Sequence, residues 1–333
     1  MNSFDHALLF YSRIDAFGDG LLRLPALRAA RTAFPQSRIV YASSGPSTLD
    51  KLLRRHVERL VDDIRVKTPL DDVLAEVRGV APRVTIADLR NLAPKLAGAR
   101  LKLLGSGVDY EANFPGFALS WPRRRLGSRP PHNAWRYHRM VERLAGRTLP
   151  FDHRLSAPAA ARAEAQRIRG DDLRPLVLTN ANGAFEQRLS AEQVAALARG
   201  LAERGYRLLH LSTPGGGPTS QDLRALEPLI ETVDPSDRLN GADLDDVFLA
   251  LGESASAYIG CDGGMGHLMA TVMTPVVIVN RGFSIERWRP LSNCVEIVEA
   301  RRETSTGLVG DTPPSVILAA ADRLFAAQKR DHA

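Results

Sequence analysis

Cysteine is scarce, with two residues in a chain of 333. A disulfide framework is excluded, and no second Cys/His pair stands at zinc spacing. Aromatic residues make up only 6%. That is too few to interleave with the basic positions as a nucleic-acid-binding surface requires. No apolar run reaches the roughly 18–20 residues of a membrane helix. The opening MNSFDHALLFYSRID has no basic n-region and only a short apolar stretch, so it reads as a first strand and not as a signal peptide. After that strand stands F-G-D-G-L-L, where a Rossmann oxidoreductase would carry G-x-G-x-x-G. The glycine-rich STPGGGPTS (212–220) lacks the K-[ST] of a P-loop. Repeats and low-complexity tracts are absent. These exclusions leave a cytoplasmic protein of the α/β type.

What is present is apolar material and a divided charge. Hydrophobic residues make up 44% of the chain, enough for two ordinary cores, and the length makes two domains the default. Residues 1–170 hold 29 Lys+Arg against 16 Asp+Glu, whereas 171–333 hold 15 against 22. The first half therefore carries +13 and the second −7. Either the first half meets something anionic, or it presents a solvated basic surface. Arg123, Arg124 and Arg125 are the densest part of it.

Short β-rich runs alternate with longer amphipathic ones. Strands are expected at 8–14, 38–44, 84–89, 101–105, 175–180, 207–212, 256–261 and 275–280. Helices are expected at 21–34, 47–57, 190–205, 243–254, 264–273 and 315–330, with Ser190 as an N-cap and Gly205 past the end of its helix. This rhythm predicts βαβ units and parallel sheets. It runs twice and breaks across 128–170, where no strand is evident. Two Rossmann-like domains follow, 1–160 and 161–333, with the boundary between about 150 and 173.

The stretch GCDGGMGHLMATVMTPVVIVN (260–280) carries the chemistry. Cys261, Asp262 and His267 are ligand types, but adjacent Cys261 and Asp262 would point opposite ways from a continuing strand. Cys261 activated by His267 would be a nucleophile, yet a cysteine ending a buried strand is usually a small core residue. A third reading has a strand ending at Cys261, a glycine turn, and a helix starting near Gly264. The unpaired N–H groups of such a helix suit a phosphate. A plain βα turn stays open beside it.

Taken whole, SAYIGCDGGMGHLMATVMTPVVIVN resembles the signature of the ADP-heptose:lipopolysaccharide heptosyltransferases, glycosyltransferase family 9. That signature runs D-[ST]-G-x-x-H-[LI]-x-A-A and then T-P-V-V. Asp262, Gly264, His267, Leu268, Ala270, Thr274, Pro275, Val276 and Val277 match, and Gly263 departs from it. RIDAFGDGLLRLPALRAARTAFPQSRIVY (13–41) is similar to the family's opening, G-D, T-x-P-A-L and A-F-P, at Gly18, Asp19, Pro25, Ala26, Leu27, Phe34 and Pro35. The stretch 178–212 follows more weakly, with the family's K/R-x-W-P replaced by Gln187-Arg188-Leu189-Ser190. DLDDVFLALGESASAYIG (243–260) resembles the helix leading into the signature.

The resemblance implies a GT-B fold, two Rossmann-like domains facing each other across a cleft, acceptor on the first and nucleotide-sugar on the second. It implies inverting transfer from ADP-heptose without a metal or cofactor. Asp19 would be the catalytic base. From the residues alone it reads as an N-cap for the helix from about 20, and Asp15 competes with it. Gly18 and Gly20 flank it on the acceptor side. Arg188 would supply the cation for the departing diphosphate, and amides around Gly263, Gly264 and Met265 the N–H donors. Asp262 would bond sugar hydroxyls or shape the loop, and His267 would touch the donor or simply pack. Asn180 would line the donor site. Arg123, Arg124 and Arg125 would meet phosphates on a lipopolysaccharide core or another anionic, lipid-linked acceptor, which leaves peripheral contact with a membrane face open. Two alternatives remain: a non-catalytic nucleotide-sugar-binding protein of the same fold, and a transferase with another donor and a small-molecule acceptor.

Overall fold

A computed structural model describes residues 4–90, 107–112, 130–183, 187–212, 223, 230–233, 239 and 243–331. The chain divides into two compact units, Met1–His153 and Arg154–Ala333.

The first unit is built on five parallel strands: β1 (His6–Ser12), β2 (Arg38–Ser43), β3 (Asp63–Arg65), β4 (Arg83–Asp88) and β5 (Val108–Ala112). Their order is β3-β2-β1-β4-β5. Apart from its first residue, β1 is buried along its length, as a strand covered on both faces must be. Helix α1 (Phe17–Ala33) follows β1 and keeps Pro25 inside it. Helix α2 (Leu70–Arg78) packs Leu70, Val73, Leu74 and Val77 into the core. Helix α3 (Asn133–Ala145) ends on Gly146 at φ 67°, the left-handed cap that glycine takes without strain.

The second unit carries six parallel strands: β6 (Leu176–Asn180), β7 (Arg207–Leu211), β8 (Glu231–Val233), β9 (Ala257–Cys261), β10 (Val276–Asn280) and β11 (Val295–Glu299). Their order is β11-β10-β9-β6-β7-β8. Its helices include α4 (Ala159–Arg169), α5 (Ala191–Ala202), α6 (Leu244–Ser254), α7 (Gly264–Thr271) and α8 (Pro314–Asp331). Ser190 caps α5 by accepting the Gln193 N–H, and the Gln193 side chain accepts the Ser190 N–H in return.

Both orders are doubly wound. The chain leaves the middle of each sheet in opposite directions, at β1/β4 and at β6/β9. Ligands of open α/β sheets bind outside the carboxyl ends of the strands at such switch points.

The expected helix over 47–57 is a 3-10 turn, Thr48–Asp50, and a single helical turn, Arg54–Val57. Tertiary bonds outcompete it. Thr48 donates its N–H to Asp15 O (3.3 Å) and its hydroxyl to Ala16 O (3.2 Å). Helix α1 starts at Phe17, before the expected position 21, because its first turn is polar and glycine-rich and carries no apolar period. The strands β3, β5, β8 and β11 were not expected. Two of them span three residues each, too short to show a period. The expected strand at 101–105 lies outside the described residues.

Candidate functional site

Each unit presents polar residues at its own switch point. In the first unit the chain leaves β1 through Arg13–Ala16 and enters α1. Asp15 does not face solvent. Its carboxylate accepts from the Ser12 hydroxyl (2.7 Å), the Ser47 hydroxyl (2.7 Å) and the Tyr41 hydroxyl, and pairs with the Arg23 guanidinium. Arg23 also donates to the Tyr41 oxygen (2.7 Å) and lies 5.8 Å and 5.7 Å from the ring centres of Tyr41 and Tyr137. Burial pushes the Tyr41 hydroxyl up to about 12, although Arg23 works against the shift. Both oxygens of Asp15 are thus engaged inside the fold, and it is not available as a base.

Asp19 is placed differently. It is the third residue of α1, not the N-cap, which is Ala16. Its Oδ2 accepts the Ala16 N–H at 3.2 Å, half of a capping box. The residue is partly exposed. Burial holds its carboxyl above the usual carboxylate range, and the Ala16 bond opposes this. A carboxylate short of compensating donors is a better proton acceptor than a saturated one. Gly20 is required next to it. A Cβ there would lie 2.7 Å from Leu53 Cδ1 and 2.8 Å from Thr48 Oγ1. Gly18, partly exposed, occupies the second position of the same turn.

In the second unit α7 begins two residues after Asp262. Its N-cap is Gly263, and no side chain caps the helix. The first N–H groups of a helix have no acceptor within it, so Gly264, Met265 and Gly266 present amides at the carboxyl end of β9. Gly266 lets α7 lie on the sheet, since a Cβ there would be 2.8 Å from Ile278 Cδ1. Met265 and His267 are buried, so His267 is placed inside the helix packing. Asp262 is half-buried. Burial pushes its carboxyl up to about 6.

The loop after β6 closes over this turn. Gly183 approaches so tightly that a Cβ would fall 2.5 Å from Cys261 Cβ and 2.9 Å from Asp262 O. Its N–H donates to Gln187 O (2.7 Å), and Leu189 N–H donates to Ala181 O (2.8 Å). Asn182 and Arg188 form an antiparallel bridge. Between buried Gln187 and Leu189, Arg188 projects as an exposed cation. Gln187 also accepts the Arg281 N–H at 3.2 Å. Asn180 braces the loop. It donates its side-chain N–H to Leu211 O and accepts the Asn182 N–H (2.9 Å). It is buried and engaged at both ends of its amide, which fixes the start of the loop.

The structure thus packs the loop that carries Arg188 on the turn of Asp262, Gly263, Gly264 and Met265, with His267 and Asn180 buried beneath. Arg123, Arg124 and Arg125 lie outside the described residues. Cys261 is buried, and its thiol is pushed up to about 12, which disfavours the thiolate that a nucleophile needs. Among the described residues no group of three His, Cys, Asp or Glu stands together as metal ligands would. The Asp15–Arg23–Tyr41 network was missed. Its signal was a lone arginine in apolar LLRLPAL, where a buried charge needs a partner.

Asp262 has a thermodynamic consequence. Its folded carboxyl holds a proton more tightly than the unfolded chain does, so stability falls as pH rises from about 4 through about 6 and is level above. After discounting for partial exposure, the loss is about 2 kcal/mol. Asp262→Asn is expected to recover about that amount at pH 8 and to flatten this window, as urea unfolding at stepped pH would show.

No family model and no curated protein matches the chain. Solved structures do. A family 9 glycosyl transferase from Veillonella parvula is 17% identical, with a TM-score of 0.65 over 98% of this chain and 99% of that one. E. coli ADP-heptose LPS heptosyltransferase II is 16% identical, with a TM-score of 0.63 over 97% and 99%. E. coli heptosyltransferase WaaC with ADP is 14% identical, with a TM-score of 0.57 over 95% and 99%. The chain has the GT-B fold. In GT-B terms the first unit is the N-terminal Rossmann-like domain, with Asp19 at its switch point, and the second is the C-terminal one, with the Gly263–Gly264 turn at its own.

Proposed function

We propose that the chain is an inverting, metal-independent glycosyltransferase. It moves a sugar, most economically heptose from ADP-heptose, to a hydroxyl of an anionic glycan or lipid-linked acceptor. The observation that carries the donor half is the N-terminus of α7 at the β6/β9 switch point, with the loop that carries exposed Arg188 packed on the same turn through Gly183. A nucleoside diphosphate needs N–H donors and a cation, and this loop pair supplies both. The ADP preference rests on the likeness to heptosyltransferase folds, one of them solved with ADP.

In the acceptor half, Asp19 takes the proton of the attacking hydroxyl as the new C–O bond forms. The diphosphate departs toward the amides of Gly264 and Met265 and toward Arg188, and no covalent sugar–enzyme intermediate forms. A single displacement inverts the anomeric carbon. Asp262 shapes the glycine turn and, while protonated, can donate to an oxygen of the donor. The basic first half, at +13 over residues 1–170, suits an acceptor bearing phosphates. No helix among the described residues is long and apolar enough to cross a membrane. A cytoplasmic enzyme in peripheral contact with an anionic membrane face is the location this reading implies.

Calorimetry with ADP, UDP and GDP tests the donor half. Preferential binding of ADP is the expected result. Failure of all three to bind at millimolar concentration would overturn it.

A further inference from the structure

Arg23 is one helical turn beyond Asp19 on α1, at the i,i+4 spacing that brings side chains together on a helix face. An arginine there is the natural counter-ion for Asp19. It does not serve as one. Its Nη1 is held by Asp15 and the Tyr41 oxygen, and the guanidinium lies against the rings of Tyr41 and Tyr137. Its Nε is buried without a hydrogen-bond partner. Among the described residues, the Asp19 carboxylate accepts from the Ala16 backbone N–H.

We propose that Asp15 is a positioning residue: by holding the Arg23 guanidinium in a buried ion pair, it keeps that cation from Asp19 and so leaves Asp19 available as a proton acceptor. This rests on the reading of Asp19 as the base. The anchoring is strong. Ser12 and Ser47 complete the Asp15 shell, so the carboxylate is fixed from β1, from β2 through Tyr41, and from the loop after β2. Asp19 and Arg23 both bear on the hydroxyls of Tyr41, from β2, and Tyr137, from α3, and Asp15 is the other charged group of this segment. The 3-10 turn faces this segment with the Thr48 hydroxyl, bonded to Ala16 O, while its Asp50 pairs with Arg54. With Asp15 neutral, Arg23 would be a buried cation stripped of its anion, one helical turn from Asp19. A cation so placed holds a carboxyl down.

The test is the titration of Asp19 itself, followed by carboxyl carbon NMR on aspartate-labelled protein and assigned by the signal lost in Asp19→Asn. Asp15→Asn is expected to lower the Asp19 midpoint by a unit or more, a tenfold loss of proton affinity. The double variant Asp15→Asn/Arg23→Met removes both charges, and replacing a buried pair together is tolerated far better than breaking it. There the midpoint is expected within about 0.3 unit of wild type, less than the roughly one-unit shift a nearby charge produces. An unchanged midpoint in folded Asp15→Asn would overturn the proposal. So would a midpoint raised by a unit in the double variant, which would mean that Arg23 already serves Asp19. Should Asp15→Asn not fold, the double variant decides. None of these readings depends on turnover, so a failure here is separable from a failure of the base assignment, which only Asp19→Asn turnover reports.

Discussion

Asp19→Asn is expected to lower sugar transfer about 10³-fold while leaving nucleoside diphosphate affinity within about twofold, in line with the 10²–10⁴ that a positioned base contributes. The variant removes little else. The Asn side-chain oxygen can still accept the Ala16 N–H, so the first turn of α1 survives. What is lost is an acceptor for the proton of the attacking hydroxyl. The split matters, since a structural defect would weaken binding and turnover together, whereas loss of the base strikes turnover alone. Wild type adds a second signature. Only unprotonated Asp19 can act, and burial raises its carboxyl, so the rate should climb with pH through that raised value and level above it. The Asn variant should lack this limb. Single-turnover release of ADP from ADP-heptose, with a phosphorylated glycan acceptor, measures both. Retention of more than about a tenth of the rate would remove Asp19 from the chemistry.

Gly264→Asp carries the second large expectation: a loss of nucleoside diphosphate binding of about 10²-fold or more. Gly264 is the first residue of α7. A carboxylate at that position stabilises the helix, because it faces the positive end of the dipole. Stability should therefore hold or rise by a few tenths of a kcal/mol. The same carboxylate occupies the place where the diphosphate would sit and repels it. Charge-assisted bonds are each worth about 1.5–3 kcal/mol, and losing two of them accounts for the effect. Calorimetry for binding and urea unfolding for stability, on the same preparation, separate the two. Unchanged ADP affinity in this variant would place the nucleotide elsewhere.

Much of this fold was legible in the residues. Apolar runs such as LVLTN and VVIVN mark strands buried on both faces, and S-x-x-Q at Ser190–Gln193 marks a helix start. These signals are local: period, turn chemistry and caps. The glycine turn at 262–264 was legible for the same reason, since strand, glycines and helix adjoin in the chain. The 3-10 turn at Thr48–Asp50 was not, because its bonds go to Asp15 and Ala16, more than thirty residues earlier. No window along the chain contains both partners.

The candidate site divides in the same way. Asp19 and Asp15 both stand after β1, and the sequence by itself offers both as a base. Only tertiary structure decides between them. Ser12, Arg23, Tyr41 and Ser47 converge on Asp15 from separate elements, while Asp19 accepts a backbone bond from Ala16. The bracing bond of Asn180 was likewise invisible in the sequence, because Leu211 O lies beside it across the sheet. The sequence by itself determined the α/β rhythm, the two-part division of charge and the glycine turn, all of which depend on neighbours in the chain. Tertiary structure decided which carboxylate is saturated within the fold and which is not, since that depends on which donors reach it.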